Sequence, residues 1–225
     1  MHRTAALTAV ALILLAWAPP ALAREDEQLW TGAQATVKLD KKWLVSQEAV
    51  ARFSRTRGGL YEIEAATMLG FRPAKDVVVA AGYVHNPLFV DGDLVLTERR
   101  AREQITFDNV AQIGSGRLSA RLRFEQRWRK GVDETGHRVR PFVRFQLPFL
   151  GKTRLGFSNE LFVNLNRTPF QGQRGIDRMR NAVVLNIPMS SAVSIESGYL
   201  NQHAFVRGGE DVSDHAATLS LSLSL

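Results

Sequence analysis

Arg117-Leu118-Ser119-Ala120-Arg121-Leu122-Arg123-Phe124-Glu125-Gln126-Arg127-Trp128-Arg129 alternates almost without a break. Leu118, Ala120, Leu122, Phe124 and Trp128 fall on one face, and Arg117, Ser119, Arg121, Arg123, Glu125, Arg127 and Arg129 on the other. A side-chain period of two belongs to an extended strand, whereas a helix would scatter these residues around its axis. The stretch therefore predicts a strand with one apolar and one charged face. The same pattern recurs on both sides of it. Val139, Pro141, Val143, Phe145, Leu147 and Phe149 oppose Arg138, Arg140, Arg144 and Gln146. Leu155, Phe157, Leu161, Val163 and Leu165 oppose Arg154, Ser158, Glu160 and Asn164. At the end of the chain Leu219, Leu221, Leu223 and Leu225 alternate with Ser220, Ser222 and Ser224. No stretch after residue 24 sustains helical spacing.

Breaks divide the alternation into eleven segments: 28–39, 43–54, 60–72, 77–86, 99–113, 117–130, 137–149, 153–165, 176–188, 192–205 and 214–225. Short breaks (Asp40–Lys42, Pro73–Asp76, Gly114–Gly116, Gly151-Lys152, Pro188–Ser191) alternate with longer polar ones (Ser54–Gly59, Asn86–Glu98, Lys130–His137, Asn166–Gly175, Arg207–Ser213). That rhythm is an up-and-down antiparallel meander. The fold class it predicts is an all-β, up-and-down antiparallel transmembrane β-barrel of about 10–12 strands, with short turns on one side of the membrane and long loops on the other. Single-chain bacterial barrels favour an even count, so the expectation is ten or twelve, with 99–113 the segment where a strand is miscounted.

Alternation alone does not say which face points inward. A soluble barrel buries the apolar face, and a membrane barrel turns it to lipid. Three features favour the second. The segments reach the ~9–11 residues of a tilted spanning strand. Trp30, Trp43, Tyr61, Phe71, Trp128, Phe149 and Tyr199 lie toward strand ends, as interfacial girdles do. The charged faces are dominated by Arg, not by Lys and Glu. The terminal aromatic common in such barrels is absent, the chain ending Leu223-Ser224-Leu225.

The start of the chain reads as an export signal. Met1, His2 and Arg3 precede a 14-residue apolar run, Ala5–Ala18, then Pro19-Pro20 and an Ala21-Leu22-Ala23 cleavage site. The run is short of the ~20 residues of a spanning helix. Residues 1–23 are thus expected to be a signal peptide cut after Ala23, and 24–225 a single barrel domain in the outer membrane. Outer-membrane lipid and the insertion machinery are the partners this implies; oligomeric state is left open. The formal net charge is +7, carried by 23 Arg and only six Lys spread along the chain. Nucleic acid is the usual partner of so basic a chain, but export argues against it. The absence of Cys excludes disulfides and thiolate metal sites.

Several pieces resemble the bacterial family of unknown function DUF2490, a group of outer-membrane barrels. They are Leu29-Trp30-Thr31, Lys41-Lys42-Trp43, Thr97-Glu98-Arg99-Arg100, Arg121-Leu122-Arg123-Phe124-Glu125-Gln126-Arg127, Glu160-Leu161-Phe162-Val163-Asn164 and Glu196-Ser197-Gly198-Tyr199-Leu200-Asn201-Gln202. The resemblance implies a barrel and no established activity.

Period two places Glu48, Arg52, Glu62, Glu64, Arg100, Arg102, Asp108, Arg121, Arg123, Glu125, Arg127, Arg140, Arg144, Glu160, Asn164, Arg178, Arg180 and Glu196 on lumen faces. Three readings are open. They form a structural lattice of ion pairs, since Arg forks match carboxylates. They line a narrow anion-favouring pore or binding site. Or they support acid–base chemistry. An enzyme needs a nucleophile, a base and an orienting group within reach. The candidates are His85 and His203 at the outer rim, with His215, Asp91, Asp211, Asp214 and Ser213 beside them. A lipid-active rim enzyme and a soluble periplasmic barrel binding an apolar ligand are the alternative functions. No phosphate loop, G-x-S-x-G or H-E-x-x-H occurs, and Asp91-Gly92-Asp93 lacks the ligand spacing of a calcium loop. No metal or cofactor is expected. The loop of Arg167-Thr168-Pro169 and Gln171–Gly175 reads as flexible, basic and external, within reach of anionic lipopolysaccharide.

Overall fold

The computed structural model describes residues 24–225. The export signal and its cleavage site lie outside the described residues. Eleven strands follow in order: β1 (Arg24–Lys38), β2 (Trp43–Ser54), β3 (Gly59–Ala74), β4 (Val77–Val90), β5 (Asp93–Ile113), β6 (Gly116–Arg129), β7 (Gly136–Pro148), β8 (Arg154–Asn164), β9 (Gly175–Pro188), β10 (Val193–Ala204) and β11 (Val212–Ser224). A 3-10 turn at Arg55–Arg57 is the single helical element among the described residues. The strands form one closed barrel in which each pairs with its sequence neighbours. Closure satisfies the backbone of both edges, which an open sheet in lipid could not do.

The count is eleven, not ten or twelve. An odd count makes the closing pair parallel: β1 runs alongside β11 from Arg24↔Val212 to Thr36↔Ser224. The seam reaches the last residue, where Lys38 N–H donates to the Leu225 carbonyl (3.0 Å) and Leu225 N–H to Thr36 (2.9 Å). Arg24 and Leu225 therefore sit at opposite mouths. The lower mouth carries connections 39–42, 75–76, 114–115, 149–153 and 189–192; the upper carries 55–58, 91–92, 130–135, 165–174 and 205–211.

The long polar loop expected at Asn86–Glu98 does not exist. β4 continues to Val90, turns through Asp91 (φ 50°) and Gly92 (φ 88°), and returns as β5. Two central residues with positive φ are the hairpin turn that Asp-Gly favours. Asn86 and Glu98 pair across this hairpin and point into the lumen, so their polarity marks an inward face and not a loop. Segment 99–113 hides no second strand. It is the lower part of the 21-residue β5, irregular where Phe107 pairs Ala120 and Ala111 pairs Leu118.

The facing is that of an inverted barrel. Leu29, Leu69, Val79, Leu122, Leu219 and Leu221 are exposed on the outside, while Arg102, Glu98 and Glu125 are among the most deeply buried side chains. A soluble barrel with an apolar cavity needs the opposite arrangement. Trp43, Tyr83, Trp128, Phe149 and Tyr199 lie on the outer surface. Trp30 and Tyr61 do not join them. Trp30 is 6% exposed, with the Arg52 and Arg180 guanidiniums 4.3 and 4.8 Å from its ring. Tyr61, shifted inward by the irregularity after Arg52, donates to Gln28 Oε1 (2.7 Å).

Candidate functional site

Toward the lower mouth, β3, β4 and β11 carry the small residues Ala66, Gly70, Ala80, Gly82 and Ser220 on their inward faces. The upper lumen is packed with charge. Five carboxylates organise it. Glu125, with no solvent exposure, accepts from Arg102 (2.9 Å), Arg138 (2.5 Å) and Arg140 (3.0 Å). Glu98 accepts from Arg100 (2.6 Å), Arg127 (2.8 Å) and Arg129 (2.7 Å). Glu64 takes Arg102 (2.6 Å), Arg100 (3.0 Å) and, more loosely, Arg52 (3.5 Å). Glu160 takes Arg121 (2.7 Å), Arg140 (2.9 Å) and, at 3.8 Å, Arg180. Arg52 also pairs with Glu62 at 2.6 Å.

Shared partners make this one connected lattice of nine Arg and five Glu, spanning strands from β2 round to β9. The excess of Arg leaves it cationic. The strands place these groups because inward residues two apart on β5, β6 and β7 stack along the lumen wall, and adjacent strands bring the stacks together. Aromatic rings fill between the guanidiniums. Phe162 has Arg138, Arg140, Arg178 and Arg180 within 5.8 Å of its centre. Charges removed from water need such multiple pairing, because each unpaired one costs several kcal/mol.

Not every expected lumen residue joins. Arg144 pairs with Glu196 lower in the lumen, apart from the lattice. Arg123 donates to Gln104 Oε1 (3.0 Å) and meets no carboxylate among the described residues. Glu48 faces in beside Gln34 and Ala66 but forms no ion pair among the described residues. Asp108 lies in the β5 irregularity at the lower mouth, likewise without an ion pair among the described residues. Arg178 has no carboxylate partner among them either. Glu98, Arg129 and Arg138 are lattice members absent from the lumen residues read from the sequence, although each lies two positions from one that is included: Arg100, Arg127 and Arg140. Asp26 and Asp214 form a smaller cluster at the upper mouth, bonded by Ser54 (2.8 Å) and Gln202 (2.6 Å) and approached by Arg57.

The 165–174 connection is tucked in, not free. Gln171 is buried and its Oε1 accepts from Arg127 (2.9 Å). Asn166 Nδ2 donates to the Thr135 carbonyl (2.8 Å), tying the loop to its neighbour. Arg167 and Arg174 stay exposed there, Arg167 donating to the Gly172 carbonyl. Between this loop, the 55–58 turn and the lattice lies a cavity of about 190 Å³.

The structure separates the histidines. His85 is in mid-β4 on the outer face, not at a strand end, and its contact is the Tyr83 hydroxyl (3.3 Å). His215 stacks on Tyr199. His203 stands between Ser213 and Asp211: Nδ1 is 3.0 Å from Ser213 Oγ, and Nε2 is 3.1 Å from Asp211 Oδ2. The Val206 N–H donates to Asp211 and holds its carboxyl below the usual range. Ser213 is 2% exposed, so its hydroxyl is covered as it stands. Among the described residues no group of three His, Asp or Glu is placed to hold a metal ion.

No solved structure matches this chain. An uncharacterised protein of Methylorubrum extorquens is 31% identical over 157 residues, which is 68% of each chain. A family described as of unknown function, DUF2490, matches residues 27–213, nearly the whole barrel from β1 into β11. The chain belongs to the DUF2490 family.

Proposed function

We propose that this is an exported outer-membrane barrel, cut after Ala23, whose lumen is braced by its Arg/Glu lattice and passes at most small anions. The lower mouth then faces the periplasm, and the bilayer and the insertion machinery are its partners. The carrying observation is the lattice itself: nine Arg against five Glu across the upper lumen. Bracing accounts for the pairing, and the surplus of Arg accounts for the anion preference. The test is single-channel recording in a planar bilayer under a KCl gradient. The expected result is a small conductance reversing toward the chloride potential. A large conductance, or a reversal toward potassium, overturns the reading.

A second reading has its own observation. Ser213, His203 and Asp211 form a hydrogen-bonded chain on the outer face near the upper rim. An outer-face nucleophile would meet ester-linked lipid once the 205–211 connection moved aside. Release of fatty acid from lipid ester by the refolded protein, lost in Ser213→Ala and His203→Ala but kept in His85→Ala, supports it. No release from any ester-linked lipid removes it.

A further inference from the structure

The lysines are placed unlike the arginines. Five of the six, Lys38, Lys41, Lys42, Lys75 and Lys152, stand at the lower mouth, and Lys130 stands at the upper. Lys38, Lys41 and Lys42 meet at one cleft of about 150 Å³ at the rim, where Arg72 joins them. Register explains the meeting. Lys38 pairs with Leu44 across β1 and β2, Trp43 pairs with Phe71 across β2 and β3, and the Arg72 N–H donates to the Lys42 carbonyl (2.8 Å). These four cations form no ion pair among the described residues, so their charge is not neutralised within the barrel. One carboxylate shares the cleft: Asp40, whose Oδ1 accepts from the backbone N–H of Lys42 (2.6 Å) and Trp43 (2.7 Å). Four cations against one carboxylate leave the cleft cationic.

The rest of the cleft is apolar, formed by Trp43 and Leu44. Trp43 is 42% exposed on the outer surface, with its ring 4.9 Å from that of Phe71. Lys42 Nζ lies 6.0 Å from the centre of the Phe71 ring. Aromatic rings with an ammonium beside them mark the level at which hydrocarbon gives way to headgroups. Above the rings, Val45 and Leu69 pair on the same outer face, so the apolar surface continues up β2 and β3. The cleft is on the scale of a headgroup, well under the ~300 Å³ of sites that enclose a whole organic ligand. We infer that this rim binds an anionic phospholipid, its phosphodiester on Lys41, Lys42 and Arg72 and its acyl chains along the outer face of β2 and β3. Basic pockets at a membrane edge recognise such headgroups by charge. A zwitterionic lipid suits the cleft less, because its ammonium would enter a place already in cationic surplus. The inference rests on the orientation proposed above, which sets this mouth in the periplasmic, phospholipid leaflet.

The experiment is native mass spectrometry of the mature barrel, refolded in detergent and titrated with phosphatidylglycerol and with phosphatidylethanolamine of the same acyl chains. One phosphatidylglycerol per chain is expected to bind at least tenfold more tightly than phosphatidylethanolamine. Each basic group near an anionic lipid is worth about fivefold in affinity. Lys41→Gln combined with Lys42→Gln should therefore weaken phosphatidylglycerol at least tenfold while the boiling-dependent gel shift remains. Lys75→Gln combined with Lys152→Gln removes the same charge from the same mouth outside the cleft, and should stay within about twofold of the parent. Equal affinity for the two lipids, or equal losses in the two double variants, overturns the site. Glycerol 3-phosphate, a phosphate without chains, should leave the lipid in place at equal concentration; displacement would assign the cleft to a soluble phosphate and overturn the lipid. Orientation is read separately, by protease access to tags at the two ends of the chain. A barrel that inserts as proposed and shows no preference for phosphatidylglycerol loses this inference alone.

Discussion

Glu125 has no water within reach and three guanidiniums around it. Glu125→Gln keeps the shape and removes the charge that Arg102, Arg138 and Arg140 share. Breaking a buried pair on one side costs about 3–5 kcal/mol, because the other side keeps its charge. Urea titration of the refolded barrel should show a loss of that order. Glu48→Gln, which breaks no ion pair, should stay within about 0.5 kcal/mol of the parent. Alternation alone puts Glu125 and its neighbours on the lumen side. It could not say which carboxylate meets which Arg, because that depends on register between strands far apart in sequence. Glu98 lay within its reach, two residues from Arg100, but its polarity beside Pro87 and Asp91-Gly92 looks like a loop until the hairpin is seen. Trp30 and Tyr61 misled for a related reason: aromatic residues at strand ends suit a membrane girdle, but guanidiniums offer them an equally good surface inside.

On β4, Gly82 leaves no room for a side chain against β3. A Cβ there would lie 2.0 Å from the Thr67 carbonyl oxygen and 2.8 Å from Met68 Cα, both on the partner strand's backbone. Gly82→Ala must therefore push β3 and β4 apart. It should destabilise by about 1–3 kcal/mol, the usual cost of overpacking, seen as a lower temperature for loss of the folded gel band. The β1–β2 turn makes a different prediction. Asp40 accepts from the backbone N–H of Trp43 (2.7 Å) and Lys42 (2.6 Å), which holds its carboxyl below the usual value of 3.8. A lowered folded-state pKa means the contribution is present above pH ~4 and is lost as pH falls through the folded value. Hydrogen exchange at Lys42 and Trp43 should lose protection below pH 4 beyond the intrinsic trend, and Asp40→Asn should flatten that dependence. The turn positions were legible because Gly, Pro and Asp punctuate them. Strand ends were less so, since inward polar residues and loop polar residues are the same residue types.

Taken as a whole, the molecule hangs on one non-local pairing. Ten neighbouring pairs are antiparallel and joined by short connections, while the eleventh joins the first strand to the last in parallel. Strand number was readable from the breaks. Its parity was not, because eleven alternating segments and the preference for even barrels point different ways. With the lower mouth in the periplasm, a tag before Arg24 should be cleaved by protease added to intact cells, and a tag after Leu225 should be spared. Cleavage of both or of neither would show that the seam is not as described.

The seam also sets a rule for rewiring the chain. In a barrel with an even number of strands the two ends meet at one mouth, and a few residues suffice to join them and open a new start elsewhere. Here the thirteen paired positions from Arg24 to Thr36 hold the ends about 40 Å apart. A bridging peptide would need a dozen or more extended residues. Its route would run either through a lumen already occupied by guanidinium and carboxylate or through hydrocarbon with its amides bare. Circular permutants of this barrel made with short linkers should fail to fold, whichever loop is opened.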